Sequence, residues 1–208
     1  MAIALLPYAL TTVARVKSRL QITNTSFDEF FIGCINAASV TVEQIAARRF
    51  LRTTYTSELY DGSDEYGTRR DLIVLRNAPV VATPSIRYKS GTNASPSWVD
   101  VSVEQFDVDL VSGLVYLDSP LPGGVQNLQI DYVAGYKIDF TNYGAEASHT
   151  LPPDITAIVE RAVVREFKRR DSEGRSSESF NESSITWNED LFTKEELAAI
   201  RNYRRAIL

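Results

Sequence analysis

The sequence predicts an α+β fold: a helical bundle of about four helices with an inserted small antiparallel β-sheet or barrel. Two observations carry this expectation. Apolar residues recur at helical spacing near both ends of the chain, and between them short apolar runs are punctuated by Gly, Pro and Asn, the pattern of strands joined by turns. A composition of 44% hydrophobic and 24% charged residues over 208 positions suits a globular protein with a real core, not a disordered, collagen-like or membrane chain. Residues 1–57 are therefore expected to form the N-terminal helical part, 58–137 an inserted β-rich domain, and 138–208 the C-terminal helical part.

Taken in order, Ala2 to Leu6 is apolar, has no basic flank and is stopped by Pro7. It is too short for a signal h-region or a membrane span and reads as an N-terminal arm or strand. From Thr12, Val13, Val16 and Leu20 recur at helical spacing between Arg15, Lys17 and Arg19, which predicts a short amphipathic helix with one wet, basic face. Asn24 ends it. Ser26 and Glu29 have the S-x-x-E spacing of a capping box, where each side chain satisfies the other residue's free backbone amide. A long helix is expected from Phe27 to Phe50. Its core face is Phe27, Phe30, Phe31, Cys34, Ile35, Ala38, Val42, Ile45 and Ala46, and Asp28, Arg48 and Arg49 complement its dipole. Ser39, Val40 and Thr41 weaken propensity mid-run, which leaves two tandem helices as an alternative.

Around Tyr55 the period changes to that of strands. The candidates are Leu72 to Leu75, Val80 to Tyr88, Trp98 to Val101, Phe106 to Leu110, Leu114 to Leu117 and Leu128 to Val133. Val111, Ser112 and Gly113 suit a hairpin turn between the fourth and fifth of these. After Pro152 and Pro153 a helix is expected with Ile155, Ile158, Val159, Ala162, Val163 and Phe167 on one face. Residues 171–184 are rich in Ser, Glu and Gly and read as an exposed loop. Thr193 and Glu196 form a second capping box, opening a last helix with Leu197, Ile200 and Tyr203 on one face.

The net charge of −5 is unevenly spread. Residues 1–60 carry 6 basic and 4 acidic groups, 61–150 carry 6 and 12, and 151–208 carry 10 and 11. Only Lys168, Arg169, Arg170 and Arg201, Arg204, Arg205 form basic clusters, so a broad face for gripping phosphate backbone is not expected. With Cys34 as its one cysteine, the chain makes no disulfide within itself.

Catalytic signatures are missing from the sequence, and an enzyme is not expected. No P-loop, G-x-G-x-x-G, G-x-S-x-G or H-E-x-x-H pattern occurs. The lone histidine, His149, reads as a surface loop residue, with a general base or pH switch as the functional alternative. Cys34 reads as a small buried hydrophobe. Asp61, Asp64 and Glu65 offer oxygen ligands but lack the register of a calcium loop. No cofactor or metal is therefore expected. Trp98 and Trp187 read as core or, for Trp187 in its polar setting, as an interface anchor.

The order of segments resembles a known family. The helix Val13-Ala14-Arg15-Val16-Lys17-Ser18-Arg19-Leu20 precedes a long helix. Leu72 to Val80 and the hairpin Gly113-Leu114-Val115-Tyr116-Leu117 come next. Tyr132-Val133-Ala134-Gly135-Tyr136 then precedes Leu151-Pro152-Pro153-Asp154-Ile155, and Tyr203-Arg204-Arg205 lies near the end. This order is similar to that of gp6-like head-tail connector (adaptor) proteins of tailed bacteriophages. The resemblance implies a structural virion protein at the neck, assembled in the host cytoplasm. Such a protein would be expected to form a ring, commonly a dodecamer, below the portal and to extend the DNA channel toward the tail.

The implied partners are further copies of the chain, the portal protein, and a tail or stopper protein. The resemblance also implies that DNA passes through without sequence-specific binding and that no membrane is involved. Phe27, Phe31, Val163 and Phe167 are the candidates for the ring interface. Trp187, Tyr203, Arg204, Arg205, Ile207 and Leu208 are the candidates for portal docking. The inserted sheet either decorates the ring exterior or contacts neighbouring subunits. The competing readings are a tail-completion or tail-terminator ring protein, a host- or glycan-binding module using the sheet, and a hydrolase using Asp107 and Asp109.

Overall fold

The structure is a computed structural model and describes residues 3–63, 67–92, 95–142, 149–170, 177–180, 183–186 and 191–204. The fold is α+β. In chain order it runs α1 (Val13–Leu20), α2 (Asp28–Ala46), β1 (Thr53–Tyr60), β2 (Leu72–Val74), β3 (Ser85–Thr92), β4 (Ser95–Asp100), β5 (Phe106–Asp109), β6 (Leu114–Leu117) and β7 (Leu128–Ala134). It continues with α3 (Pro153–Arg169), β8 (Ser177–Phe180), β9 (Ser183–Thr186) and α4 (Lys194–Arg201). The chain divides into a helical unit, Met1–Ala47 with Ile138–Arg204, and a sheet unit, Arg48–Lys137.

In the helical unit, α3 follows the expected stripe, with Ile155, Ile158, Val159, Ala162 and Val163 buried. It packs against both α1 and α2. Thr193 and Glu196 form the expected box: Glu196 N–H donates to Thr193 Oγ1 at 3.3 Å and Thr193 N–H to Glu196 Oε2 at 3.0 Å. The N-terminal arm is not a strand. It is pinned to α2 by Asn36, whose Oδ1 accepts from Leu6 N–H and whose Nδ2 donates to the Ala4 carbonyl.

Two expectations for α2 are corrected, and the alternative of two tandem helices does not hold. The Ser26 and Glu29 box does not form, because the Ser26 amide donates to Asn24 Oδ1 and the helix starts after Phe27 with no side-chain cap. The helix ends at Ala46, where Ala47 turns left-handed at φ 52°. Arg48 and Arg49 therefore lie beyond it and do not complement its dipole. A single helix also runs straight through Ser39 to Thr41. The polar side chains there are satisfied: Thr41 Oγ1 donates to the Ala37 carbonyl, and Ser39 Oγ accepts from Leu10 N–H.

The sheet unit consists of a four-stranded sheet in the order β1-β7-β3-β4 and a three-stranded sheet in the order β2-β6-β5, all paired antiparallel. Ile86, Leu128, Ile130 and Tyr132 from the first share one core with Ile73, Phe106, Val115 and Leu117 from the second. Asp109 organises the β5–β6 turn, accepting from the Val111 and Ser112 amides and, at 2.5 Å, from the Ser112 hydroxyl. Gly135 follows β7 at φ 103°, where a Cβ would lie 2.8 Å from the Leu51 carbonyl oxygen, so this position admits only glycine.

Other boundaries differ from expectation. The third strand begins at Ser85, not Val80, since Pro84 has no N–H to give a ladder. Strand β1 was not anticipated. A register shift between Tyr55 and Glu58, with Ser57 at φ 57°, breaks the alternation that would have announced it. Where 171–184 was expected as a loop, Ser177–Phe180 is a strand paired antiparallel with Ser183–Thr186, which runs past the end of that range. The pair's Ser, Thr, Phe and Ile content is adequate for strands, and polarity alone had hidden this.

Candidate functional site

Among the described residues of the helical unit, the buried carboxylates Glu160 and Glu196 are each gripped by two arginines. Arg15 and Arg19 stand four residues apart on α1 and so share one face. Expected as a wet basic face, they instead converge on Glu160 of α3, whose side chain is 3% exposed. Arg15 Nε donates to Oε1 and Arg19 Nε to Oε2, both at 2.6 Å, and Thr11 Oγ1 donates to Oε1 at 3.1 Å. Ala14, Arg15, Ser18, Arg19 and Glu160 line an open hollow of about 390 Å³.

Glu196 is held similarly, accepting from Arg161 Nε at 2.8 Å and Arg165 Nη2 at 2.5 Å. Burial pushes its carboxyl upward, but the hydrogen bonds from Arg165 and Arg161 outweigh this and hold it below the ordinary range.

A phenylalanine cluster joins α2 and α3. The Phe167 ring lies 5.0 Å from both Phe27 and Phe31 and 6.1 Å from Phe30, and the Arg170 guanidinium sits 4.0 Å above it. Phe31 and Val163 have no exposed surface, so of the four ring-interface candidates only Phe27 and Phe167 retain some. Phe30, expected in the core, is 36% exposed beside them.

Of the portal-docking candidates, Tyr203 donates its hydroxyl to the Asp154 carboxylate at 2.8 Å, and Arg204 is exposed. Trp187, Arg205, Ile207 and Leu208 lie outside the described residues.

On the sheet unit, the outward face of β2-β6-β5 sets Tyr116, 47% exposed, directly between Leu72 and Asp107. Asp107 and Asp109 are both exposed, as their alternation along β5 predicted. Leu110 and Val111 stand exposed at the hairpin turn. Trp98 lies within β4, opposite Lys89, and is 38% exposed, which is not a core position.

His149 is not the surface residue the sequence suggested: it is 8% exposed, packs against Phe140, and its Nδ1 accepts from the Asp139 amide at 3.1 Å. Burial lowers its pKa, and the Arg15 charge acts in the same direction. The Cys34 thiol is pushed up to about 11, first by burial and then by the charge of Glu166, away from the range of a nucleophile. Asp61 Oδ1 accepts from the Gln126 amide. Among the described residues, no group of three or more His, Cys, Asp and Glu is placed to hold a metal ion, and no helix is long and apolar enough to cross a membrane.

The Glu160 clamp was missed at the sequence level because its partners are more than 140 positions away. The only local sign is the spacing of Arg15 and Arg19.

No family model matches the sequence, and no curated protein matches it. Solved structures do share the fold. A chain in the neck of an empty gene transfer agent particle, computed with C6 symmetry, superposes with a TM-score of 0.52 at 14% identity, covering 100% of this chain and 96% of that one. A chain in the virion of a native gene transfer agent particle gives a TM-score of 0.52 at 15% identity, again covering 100% and 96%. At such identities the likeness is one of fold.

Proposed function

We propose that this chain is a structural neck protein of a phage-like particle, a head-tail connector (adaptor) whose copies form a ring below the portal and extend the DNA channel to the tail. The observation that carries the reading is the end-to-end fold match, 100% of this chain on 96% of a chain from a particle neck. The order of sequence segments, which resembles gp6-like connectors, supports it independently. A ring of twelve copies is compatible with the C6 symmetry applied to that neck. Sparse basic surface suits a conduit through which duplex DNA slides, since tight phosphate contacts would hold it.

The test is native mass spectrometry and electron microscopy of the purified chain, alone and mixed with portal protein. A closed ring that binds portal, twelve-fold by expectation, supports the reading. A monomer that ignores portal overturns it, and a ring that binds only tail tube reassigns it to tail completion. In the same assay, removal of residues 202–208 should abolish portal binding, and unchanged binding would remove the docking role from that segment.

A further inference from the structure

We propose that the hollow around Arg19 receives the Asp107 and Tyr116 face of a second copy of this chain, a contact that rests on the ring-forming reading above. The hollow has unspent donors. Glu160 divides its one negative charge between two guanidinium groups, and Arg19 contacts it through Nε alone. The Arg19 side chain is 44% exposed, and its Nη groups have no partner among the described residues. The small residues Ala14 and Ser18 leave room beside it for an incoming side chain.

The complementary surface lies on β5 and β6. Between residues 90 and 136 the sequence has no Lys, Arg or His, while Asp100, Glu104, Asp107, Asp109, Asp118 and Asp131 all fall there. Asp109 is occupied by its turn, and Asp131 by Arg87 at 2.6 Å. Asp107 is exposed and has no hydrogen bond or ion pair among the described residues, with the exposed Tyr116 opposite it. A carboxylate beside an exposed tyrosine ring suits a guanidinium: the charge pairs with the oxygens and the plane lies on the ring.

Because the two surfaces differ, the contact is head-to-tail and repeats from copy to copy, the kind that closes a ring. Nucleic acid fits the hollow less well. The remaining cation of α1, Lys17, is already paired with Asp28 at 2.9 Å, so no broad basic face exists there.

A charge swap tests this with every clamp residue left in place. Ser18 lines the hollow, is exposed, and its hydroxyl makes no hydrogen bond among the described residues, so Ser18→Glu places a carboxylate there and removes no such bond. Asp107→Lys does the converse on the exposed strand. Each single variant should melt like the parent yet raise the concentration needed for ring assembly by about tenfold, the effect of one interfacial charge pair. The double variant should return to within about threefold of the parent, the sign of direct coupling.

Single variants that assemble like the parent, or a double variant no better than the worse single, overturn the contact while leaving the ring intact. Ser18→Glu that weakens DNA retention with assembly unchanged also overturns it, assigning the hollow to phosphate. A parent that forms no ring, alone or with portal, overturns the ring-forming reading itself.

Discussion

The helical and sheet units solve the same problem with different forces. In the helical unit, α1 and α4 are eight residues each and bury little apolar surface: Val16 is the buried residue of α1, and Ile200 with Glu196 those of α4. Each short helix is instead oriented by a buried carboxylate clamped by two arginines, Glu160 across α1 and α3 and Glu196 across α3 and α4. In the sheet unit, β7 alternates buried and half-buried side chains along its whole length, and that alternation sets register. One of its polar networks joins β1 to β7, where Tyr60 and Tyr132 both donate to Glu58 Oε2. Directional charge therefore positions elements too short to be positioned by area, and apolar alternation positions the rest.

The sharpest way to break this contrast is to remove apolar volume from the sheet. Ile130 is fully buried in β7, the strand between β1 and β3. Ile130→Ala should cost about 3–4 kcal/mol in denaturant unfolding, the range for a large-to-small change at a site with no room to relax. Hydrogen exchange should localise the loss of protection to residues 48–137. Equal loss across the four helices would show that the two units are not held separately.

The corresponding change in the helical unit is Glu196→Gln, which keeps shape and removes the charge. Arg161 and Arg165 are part-exposed, at 47% and 28%, so water recovers some of what they lose. The expected cost is about 1–2 kcal/mol, below that for a fully buried pair. Because the Glu196 carboxyl is held below its ordinary range, its contribution is complete above the usual carboxylate pKa and fades as pH falls through the depressed one. Melting temperature against pH should accordingly show a flatter acid limb for the Gln variant than for the parent.

The same contrast explains what the sequence revealed and what it hid. The α3 stripe, the β5–β6 hairpin and the Thr193 and Glu196 box were legible because each is written within a few adjacent residues. The Ser26 and Glu29 spacing misled because a third neighbour, Asn24, captured the Ser26 amide. Strand β1 was hidden by its own bulge at Ser57, and the end of α2 by an alanine in a left-handed conformation. The candidate surfaces were half legible. Alternation put Asp107 and Asp109 on one face, and the structure adds that Tyr116 stands opposite the first while the second belongs to its turn. The Glu160 clamp depends on helices joined through the entire sheet unit, and no local pattern records that closure.

The finest discrimination comes from the alkaline side, where the sheet unit should respond and the Glu196 clamp should not. Burial, then the hydrogen bond to Glu58, pushes the Tyr60 hydroxyl up to about 12, and the same two causes raise Tyr132 further. Folding thus favours the neutral phenols. Their contribution is complete below the ordinary tyrosine value of about 10, and it is lost as pH rises through the folded values, since the unfolded chain ionises first. Tyr132→Phe removes one of the two hydroxyls, at a cost of about 1 kcal/mol near neutral pH. It should soften the alkaline limb of the melting curve and raise the pH at which tyrosinate absorbance appears for Tyr60, because the Tyr132 hydroxyl at 3.3 Å acts to hold the Tyr60 value down. The acid limb should stay as in the parent. A variant that moved both limbs together would dissolve the distinction between a unit oriented by ion pairs and a unit aligned by apolar alternation.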